Sequence, residues 1–529
     1  MAFPKIVAAA EPHEDRLSDL PDGVLGHVLS FLSADEAARA AVLARRYRHA
    51  FASVHTLSFV QEQGSSSTDA HRNDANYRYE FDKSRNEGFV ALVDAAMSCR
   101  RRCAGGRDPG LRAFRVAFDS FHHSLAGDVD RWLSAATRGG AAAAVEEIRV
   151  DARRPEQHEC ARERSEWYYH GSSQDQAAEL KDESDGDDVG DFRNPNTRDR
   201  AYRVPRWLYS GAGAAASLRT LCLGSCFLDL LGGETPLHFP SIETLGLIWI
   251  PDSGRAIQRL VSGCPRLADL TLDSCRRLRA VTVLDRRLRR LAVRCCHDAR
   301  LTVDASDLRV LQYKGPVPDE SVLSFAGSPP SIVSCDIEFC GKLTGSESEL
   351  VSLQQFLGRF TNARWFRLGS LSMGSGVEKA NYSLGTALLP AVTQLELKGA
   401  LASSSAISEV ARILEQTPNL EILTLLMLPD VDEFPRYQAA VICDPEVGLD
   451  LPDVLPVIPC LRDRVREINV VHYQGRVAQR TLLKLLLRIG SALEELYVVF
   501  PEGKYAVQSM LMGEIESWVM DRPVKVMFA

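Results

Sequence analysis

Long apolar runs are missing from this sequence: none reaches the ~18 consecutive apolar residues that a bilayer-spanning helix needs. Its opening, MAFPKIVAAAEP, has one lysine and a brief apolar run before acidic residues. That is too little for a secretory leader, so a cytoplasmic or nuclear location, or both, is expected, with no membrane partner. An excess of basic charge is missing too. At a net charge of -8 the chain lacks the basic face of a general nucleic-acid binder, and no nucleic-acid partner is expected. Thirteen cysteines are present, yet no two stand at the C-x-x-C spacing of a zinc site or in the framework of a small disulfide scaffold. A reducing compartment fits them better. No phosphate loop, nucleophile elbow or metalloprotease helix is found. His122 and His123 are adjacent and so face apart, and the acidic run DESDGDD at 182–188 lacks the closing glutamate of an EF-hand. The chain is read as non-catalytic, with no cofactor and no metal.

Residues 17–51, LSDLPDGVLGHVLSFLSADEAARAAVLARRYRHAF, hold the most specific pattern. Leu17 and Leu20 precede Pro21, whose fixed φ suits the start of a helix, and Val24, Leu25, Val28, Leu29 and Leu32 follow at helical steps. Ser33 and Glu36 have the form of a capping box opening a second helix near Ala34. Arg45, Arg46, Arg48 and His49 place positive charge where the alanine-rich helix ends, and about three short helices are expected. So short a segment buries little surface alone, so its apolar stripe is expected to be shared with a partner or with the next segment. The segment resembles the F-box, the helical module that docks a protein on the Skp adaptor of a Skp–cullin–F-box ubiquitin ligase. Leu20 and Pro21 fall on the family's Leu-Pro pair, and Val24, Leu25, Val28, Leu29 and Leu32 on its apolar positions. Tyr47 stands where the family usually has tryptophan. A plainer reading of the same pattern is a helical hairpin that caps whatever follows.

From Val54, Leu57 and Phe59 onward an apolar-x-x-apolar-x-apolar spacing recurs: 111/114/116, 145/148/150, and then regularly from Leu218, Leu221 and Leu223 to Ile332, Cys335 and Ile337. A period of about 20 to 25 residues is that of leucine-rich repeats, and it continues less regularly through Leu420, Leu423 and Leu425. Each unit is read as a strand plus a returning helix or irregular segment, and stacking makes one continuous core. Cys226, Cys275, Cys296 and Cys340 occupy the Asn-or-Cys position of the repeat, where an inward side chain meets backbone acceptors. A redox or metal role for the vicinal Cys295 and Cys296 is the competing reading. Polar stretches near 61–87 and 151–200 are expected to be disordered insertions in loops. The end, VREINVVHYQG, then RTLLKLLLRIG and SALEELYVVFPEG, resembles the FBD segment of many plant F-box proteins with leucine-rich repeats.

The fold class expected is therefore α/β: a flexible start at 1–14, a small helical F-box at 15–55, a leucine-rich-repeat solenoid at 56–440 and an FBD-like cap at 441–529. The resemblance implies a substrate-recognition subunit whose partners are the Skp-family adaptor, through it the cullin, and a protein substrate. On the strands, residues between inward leucines face outward, which aligns Asp269, Thr271 and Asp273 with Arg290 and Arg294 and with Gln312 and Lys314 as a mixed-charge strip. Such a strip can take an acidic or phosphorylated segment through bidentate arginines, or it can be a solvated surface paired with itself. A ligase-independent repeat scaffold is the alternative from another class.

Overall fold

The recurring spacing becomes strand because its last two apolar residues lie on one side of an extended chain while the first closes the turn before it. In the computed structural model all three are buried in each unit, from Val54, Leu57 and Phe59 to Leu493, Leu496 and Val498. The structure describes residues 20–43, 45–61, 75–104, 110–119, 121–138, 144–153, 201–209, 214–230, 237–284, 287–297, 299–319, 322–326, 330–340, 346–373, 389–401, 404–428, 458–503, 505–520 and 522–529. It divides into two compact units, one of residues 1–155, 199–226 and 238–242, the other holding the remainder.

The first unit opens with α1 (Asp22–Leu29), α2 (Ala34–Leu43) and α3 (Arg45–Ala52), followed by β1 (Thr56–Val60), α4 (Ala75–Cys103), β2 (Ala113–Phe118), α5 (Ala126–Thr137), β3 (Glu147–Ala152) and β4 (Thr220–Gly224). The strands are parallel, with Leu57 opposite Phe114, Phe114 opposite Ile148 and Ile148 opposite Leu221. Residues 75–87, expected as loop, are the first turns of α4. From Asn86 onward the helix has a buried face at helical spacing, Asn86, Phe89, Val93, Ala96 and Arg100, which packing fixes despite the polar composition. Asn86 accepts from the buried Gln61 amide, and Arg100 donates to the carbonyls of Val54 and Gly110. Trp132 on α5 stacks on Phe118 and donates to Asp94 of α4 at 2.7 Å. Residues 62–74 and 154–200 of the expected insertions lie outside the described residues, whereas 151 and 152 belong to β3.

In the second unit the strands are β5 (Thr244–Ile248), β6 (Asp269–Asp273), β7 (Ala280–Val283), β8 (Arg290–Arg294), β9 (Arg300–Val303), β10 (Val310–Gly315), β11 (Leu323–Phe325), β12 (Ser334–Phe339), β13 (Trp365–Ser372), β14 (Gln394–Ala400), β15 (Ile422–Leu428), β16 (Glu467–Val471), β17 (Glu495–Val499) and β18 (Lys525–Phe528). The longer helices are α6 (Gly254–Ser262), α7 (Glu347–Leu357), α8 (Ser404–Glu415), α9 (Val477–Ile489) and α10 (Tyr505–Val519). One parallel sheet runs β5-β6-β8-β10-β12-β13-β14-β15-β16-β17-β18. The FBD-like segment thus continues the sheet, with Leu425 opposite Val470 and Val470 opposite Val498. On its last strand the inward residues Val526 and Phe528 remain half-exposed.

Where the sequence reading expects helices or irregular returns, three repeats return as strands, and these form a second parallel sheet, β7-β9-β11. Its period-two pattern is short, Val281 with Val283 and Leu301 with Val303, both pairs buried. Both edges of this sheet are met by side chains. The Gln258 amide of α6 donates to the Thr282 carbonyl and accepts from its N–H, and Arg359 donates to the Leu323 carbonyl at 2.7 Å.

The turn leaving the strands explains the cysteines. Trp249, Ser274 and Cys295 follow β5, β6 and β8 with φ of 53°, 53° and 50°, the left-handed region, and Ser225 follows β4 likewise at 54°. That conformation costs roughly 1 kcal/mol for a residue with a side chain. It aims the N–H at the next strand: Ser274 donates to Arg294 and Cys295 to Lys314. The residue after it points inward, and the thiols of Cys275 and Cys296 then donate to the Leu247 and Leu272 carbonyls. Cys295 therefore sits next to Cys296 because one fills the turn position and the other the inward position. The hydrogen bond with Cys275, then burial, pushes the Cys296 thiol well up. That opposes a nucleophilic role, and no metal-binding cluster occurs among the described residues.

Candidate functional site

Half-buried Leu20 leads into Pro21, whose backbone is extended at φ -55° and ψ 145° and whose carbonyl accepts from Leu25 at 2.9 Å. Arg46, expected at the end of the alanine-rich helix, lies on the separate helix α3 and turns back to this start. It donates to the Leu20 carbonyl and pairs with Asp22 at 3.3 Å. The capping box forms as expected: Ser33 N–H donates to Glu36 at 3.0 Å and Glu36 N–H to the Ser33 hydroxyl at 3.2 Å. The Ser33 N–H and the Ser33 hydroxyl, both donating to the carboxylate, hold the Glu36 carboxyl below its ordinary range.

The apolar stripe of α1, continuous in sequence, divides in space. Leu25, Gly26 and Leu29 are buried in the module, while Val24 and Val28 are exposed, as is Leu32 just beyond the helix. Phe31 joins the exposed set at 77% exposure. Gly26 is required where α1 meets the end of α3, because a Cβ there would lie 2.9 Å from Ser53 Cβ and 3.0 Å from the Ala50 carbonyl. His27 stacks on His55 at 5.2 Å and meets Phe31 edge-on at 5.0 Å. Burial, then the nearby His27, holds the His55 imidazole below its ordinary range. Tyr47 on α3 is half-buried.

On the open face of the second unit's sheet the register brings the expected strip together. Arg290 lies opposite Asp269 and Val310, Ala292 opposite Thr271 and Gln312, and Arg294 opposite Asp273 and Lys314. Two of its cations, Arg294 and Lys314, are then engaged by the next strands. Arg294 donates to Gln312 at 2.7 Å, Lys314 pairs with Glu338 at 3.0 Å, and Lys398 reaches the same carboxylate at 2.9 Å. Lys398 crosses a strand to do so, over Gly369, which lies opposite both Glu338 and Lys398 and has no side chain. Arg367 sits between Asp336 and Glu396, at 3.8 and 3.0 Å. Burial acts to raise the Glu338 carboxyl, but the two lysines outweigh it and hold it below the ordinary 4.5. Asp336 is raised above 3.8 by burial, which Arg367, the largest opposing charge, does not offset.

A leucine-rich-repeat model described as the LRR repeats of the FBD-associated F-box protein At5g56370 matches residues 194–322. Among relatives in Arabidopsis thaliana, a 54-residue segment is 48% identical to the F-box/LRR-repeat protein At3g58920, covering 10% of this chain and 12% of the relative. A 45-residue segment is 53% identical to the F-box protein At1g58310, covering 8% and 9%, and a 54-residue segment is 46% identical to the F-box/LRR-repeat protein At3g58980, covering 10% and 9%. The chain is thus similar to plant F-box/LRR-repeat proteins, over part of its repeats and over a further segment of about a tenth of its length.

Its matches span only about a tenth of those relatives' own length. In the F-box, helices α1 to α3, sequence reasoning found the apolar positions but not which of them face out. Phe31 stands at the helical step from Val24 and Val28, a signal the sequence reading passed over, and lies in the turn after Leu29. On the repeats, Glu338, Arg367, Glu396 and Lys398 were missed as members of the charged strip. Their spacing in sequence carries no signal, since the register of parallel strands joined by long returns sets which charges meet.

Proposed function

We propose that this chain is the substrate-recognition subunit of a Skp–cullin–F-box ubiquitin ligase, acting in the cytoplasm or nucleus. The F-box docks on a Skp-family adaptor and the repeats hold a protein substrate. The observation that carries this reading is the divided stripe of α1. Leu25 and Leu29 are spent on the module's own core, leaving Val24, Val28, Phe31 and Leu32 as an exposed apolar set on so small a module. Leu20 and Pro21 set where that face begins. The chain contributes tethering: it raises the effective concentration of substrate lysines near the conjugating enzyme and leaves bond formation to that enzyme.

Purified adaptor retained by the full chain, and lost on deletion of residues 1–52, which leaves β1 in place, from a protein whose repeats stay folded, is the expected result. A folded full-length chain that retains no adaptor overturns the proposal. One observation favours the second reading, a repeat scaffold with the F-box as its cap: α2 packs on β1 and α3 on α4, so the module is joined to the first repeat. A cap alone has no affinity for the adaptor, and the same pull-down separates the two.

A further inference from the structure

The second unit carries basic charge that the open-face network does not use. Between residues 266 and 309 the sequence has eleven arginines and no lysine against six aspartates, in a chain whose net charge is -8. Five arginines of the unit line one rim, where the chain enters the strands. Arg309 N–H donates to the Arg289 carbonyl, Val333 to Arg309, and Arg364 to Val333, so residues 289, 309, 333 and 364 form one backbone row. Neighbours in such a row are about 4.8 Å apart, which spreads it over roughly 14 Å. Arg290 follows Arg289, and Arg266 lies in the turn before β6. Arg266, Arg289, Arg290, Arg309 and Arg364 are all exposed. Among the described residues none of the five forms an ion pair, whereas Arg294, Lys314, Arg367 and Lys398 of the strip are engaged.

Beside this rim, between α6 and β7, opens a cleft of about 430 Å³ lined by Val261, Pro265, Leu267, Thr282, Val283 and Leu284. Pro265 and Leu267 flank Arg266, so the cleft and the arginine row adjoin. Leu284 is 70% exposed at its wall, and the backbone of Thr282 is occupied by Gln258. Gln258 and Ser262 also line the cleft and are bonded to each other at 2.9 Å, so an apolar wall of Val261, Pro265 and Leu284 stands beside polar groups already engaged with one another.

We infer that this rim binds an acidic peptide segment of a partner protein, with carboxylates on Arg266, Arg289, Arg290 and Arg309 and one bulky apolar side chain in the cleft. Arginine forks suit carboxylates bidentately, and a row about 14 Å long matches several charges along an extended chain better than one. The cleft supplies the uncharged anchor that bulk electrostatic attraction lacks. A single-stranded nucleic acid is the less suitable occupant, because the cleft offers aliphatic and proline side chains where bases need aromatic platforms. The inference names the class of segment the repeats take. It rests on the adaptor reading only for the fate of what is bound.

The test is fluorescence anisotropy of the full chain, without adaptor, against a labelled short peptide with one tryptophan among aspartates and glutamates. Saturable binding that weakens at least about tenfold in R289E/R309E, and comparably in L284D, supports the inference. The milder R289Q/R309Q pair, with far-UV circular dichroism, keeps the result readable if charge reversal disturbs folding. Equal binding of the same peptide with every carboxylate replaced by amide overturns it, as does tighter binding of an oligonucleotide at the same rim. Binding that emerges only when 182–188 is deleted also overturns it, assigning the rim to the chain's own acidic run. Because no adaptor is present, failure here leaves the F-box pull-down untouched, and failure of the pull-down leaves peptide binding intact.

Discussion

Replacing Phe31 by alanine is expected to cost adaptor affinity and almost no stability, whereas replacing Leu25 by alanine costs stability first and binding only through it. Phe31 is 77% exposed, and a phenylalanine presents about 150–200 Å² for burial. Covering that exposed fraction at ~25 cal/mol per Å² is worth roughly 3 kcal/mol, on the order of a hundredfold in affinity if the ring is fully covered. Its removal from the free chain leaves no cavity, so the unfolding midpoint should hardly move. Leu25 is 1% exposed, and Leu→Ala at such a site costs about 2–5 kcal/mol of folding free energy. In a three-helix module that loss unfolds α1 and removes binding as a consequence, together with its thermal transition. Calorimetric titration of each variant with purified adaptor, paired with thermal unfolding of the same preparations, separates the cases. A Phe31→Ala variant whose affinity stays within a factor of two refutes the outward-face assignment. So does one that melts like Leu25→Ala.

Three further outcomes follow from particular contacts. Gly26→Ala, which in an ordinary helix interior gains about 1 kcal/mol, should destabilise the F-box by roughly 1–3 kcal/mol because its Cβ meets Ser53 and Ala50; a denaturant titration gives the sign. Arg100→Leu should cost at least about 2 kcal/mol, since it strands the buried carbonyls of Val54 and Gly110, and a near-wild-type melting temperature would contradict the bonding described. The Glu338 carboxyl is held below 4.5 when folded, so its contribution is fully present above that pH and is lost as the pH falls through its lower folded value. Asp336, raised above 3.8, has the opposite sign: its burial penalty is absent at low pH and sets in as the pH rises through its folded value. Urea midpoints followed from neutral pH into acid should therefore fall less steeply in Glu338→Gln than in the native chain, and an unchanged acid limb would show that the two lysines do not stabilise the charged form.

The repeats were legible because their information is local. Two apolar residues at a period of two, with a third closing the turn, specify a strand with one buried face wherever the strand ends up, and Leu270 and Leu272 needed no knowledge of Leu291 and Val293. The capping box of Ser33 and Glu36 is local in the same sense, as both partners lie within one turn. What the sequence did not carry is which face of α1 remains open, since Val24 and Leu25 are equally apolar and only the approach of α3 at Gly26 covers one of them. Nor did it carry the partners of Glu338. Lys314 lies 24 residues before it and Lys398 60 after, and a one-residue change of register would have sent those side chains to the core face. Local pattern therefore determined the strands, caps and inward cysteines. The outward face of the F-box, the partly paired strip and the exposed arginine rim were decided by tertiary packing, because charge and exposure depend on neighbours far away along the chain.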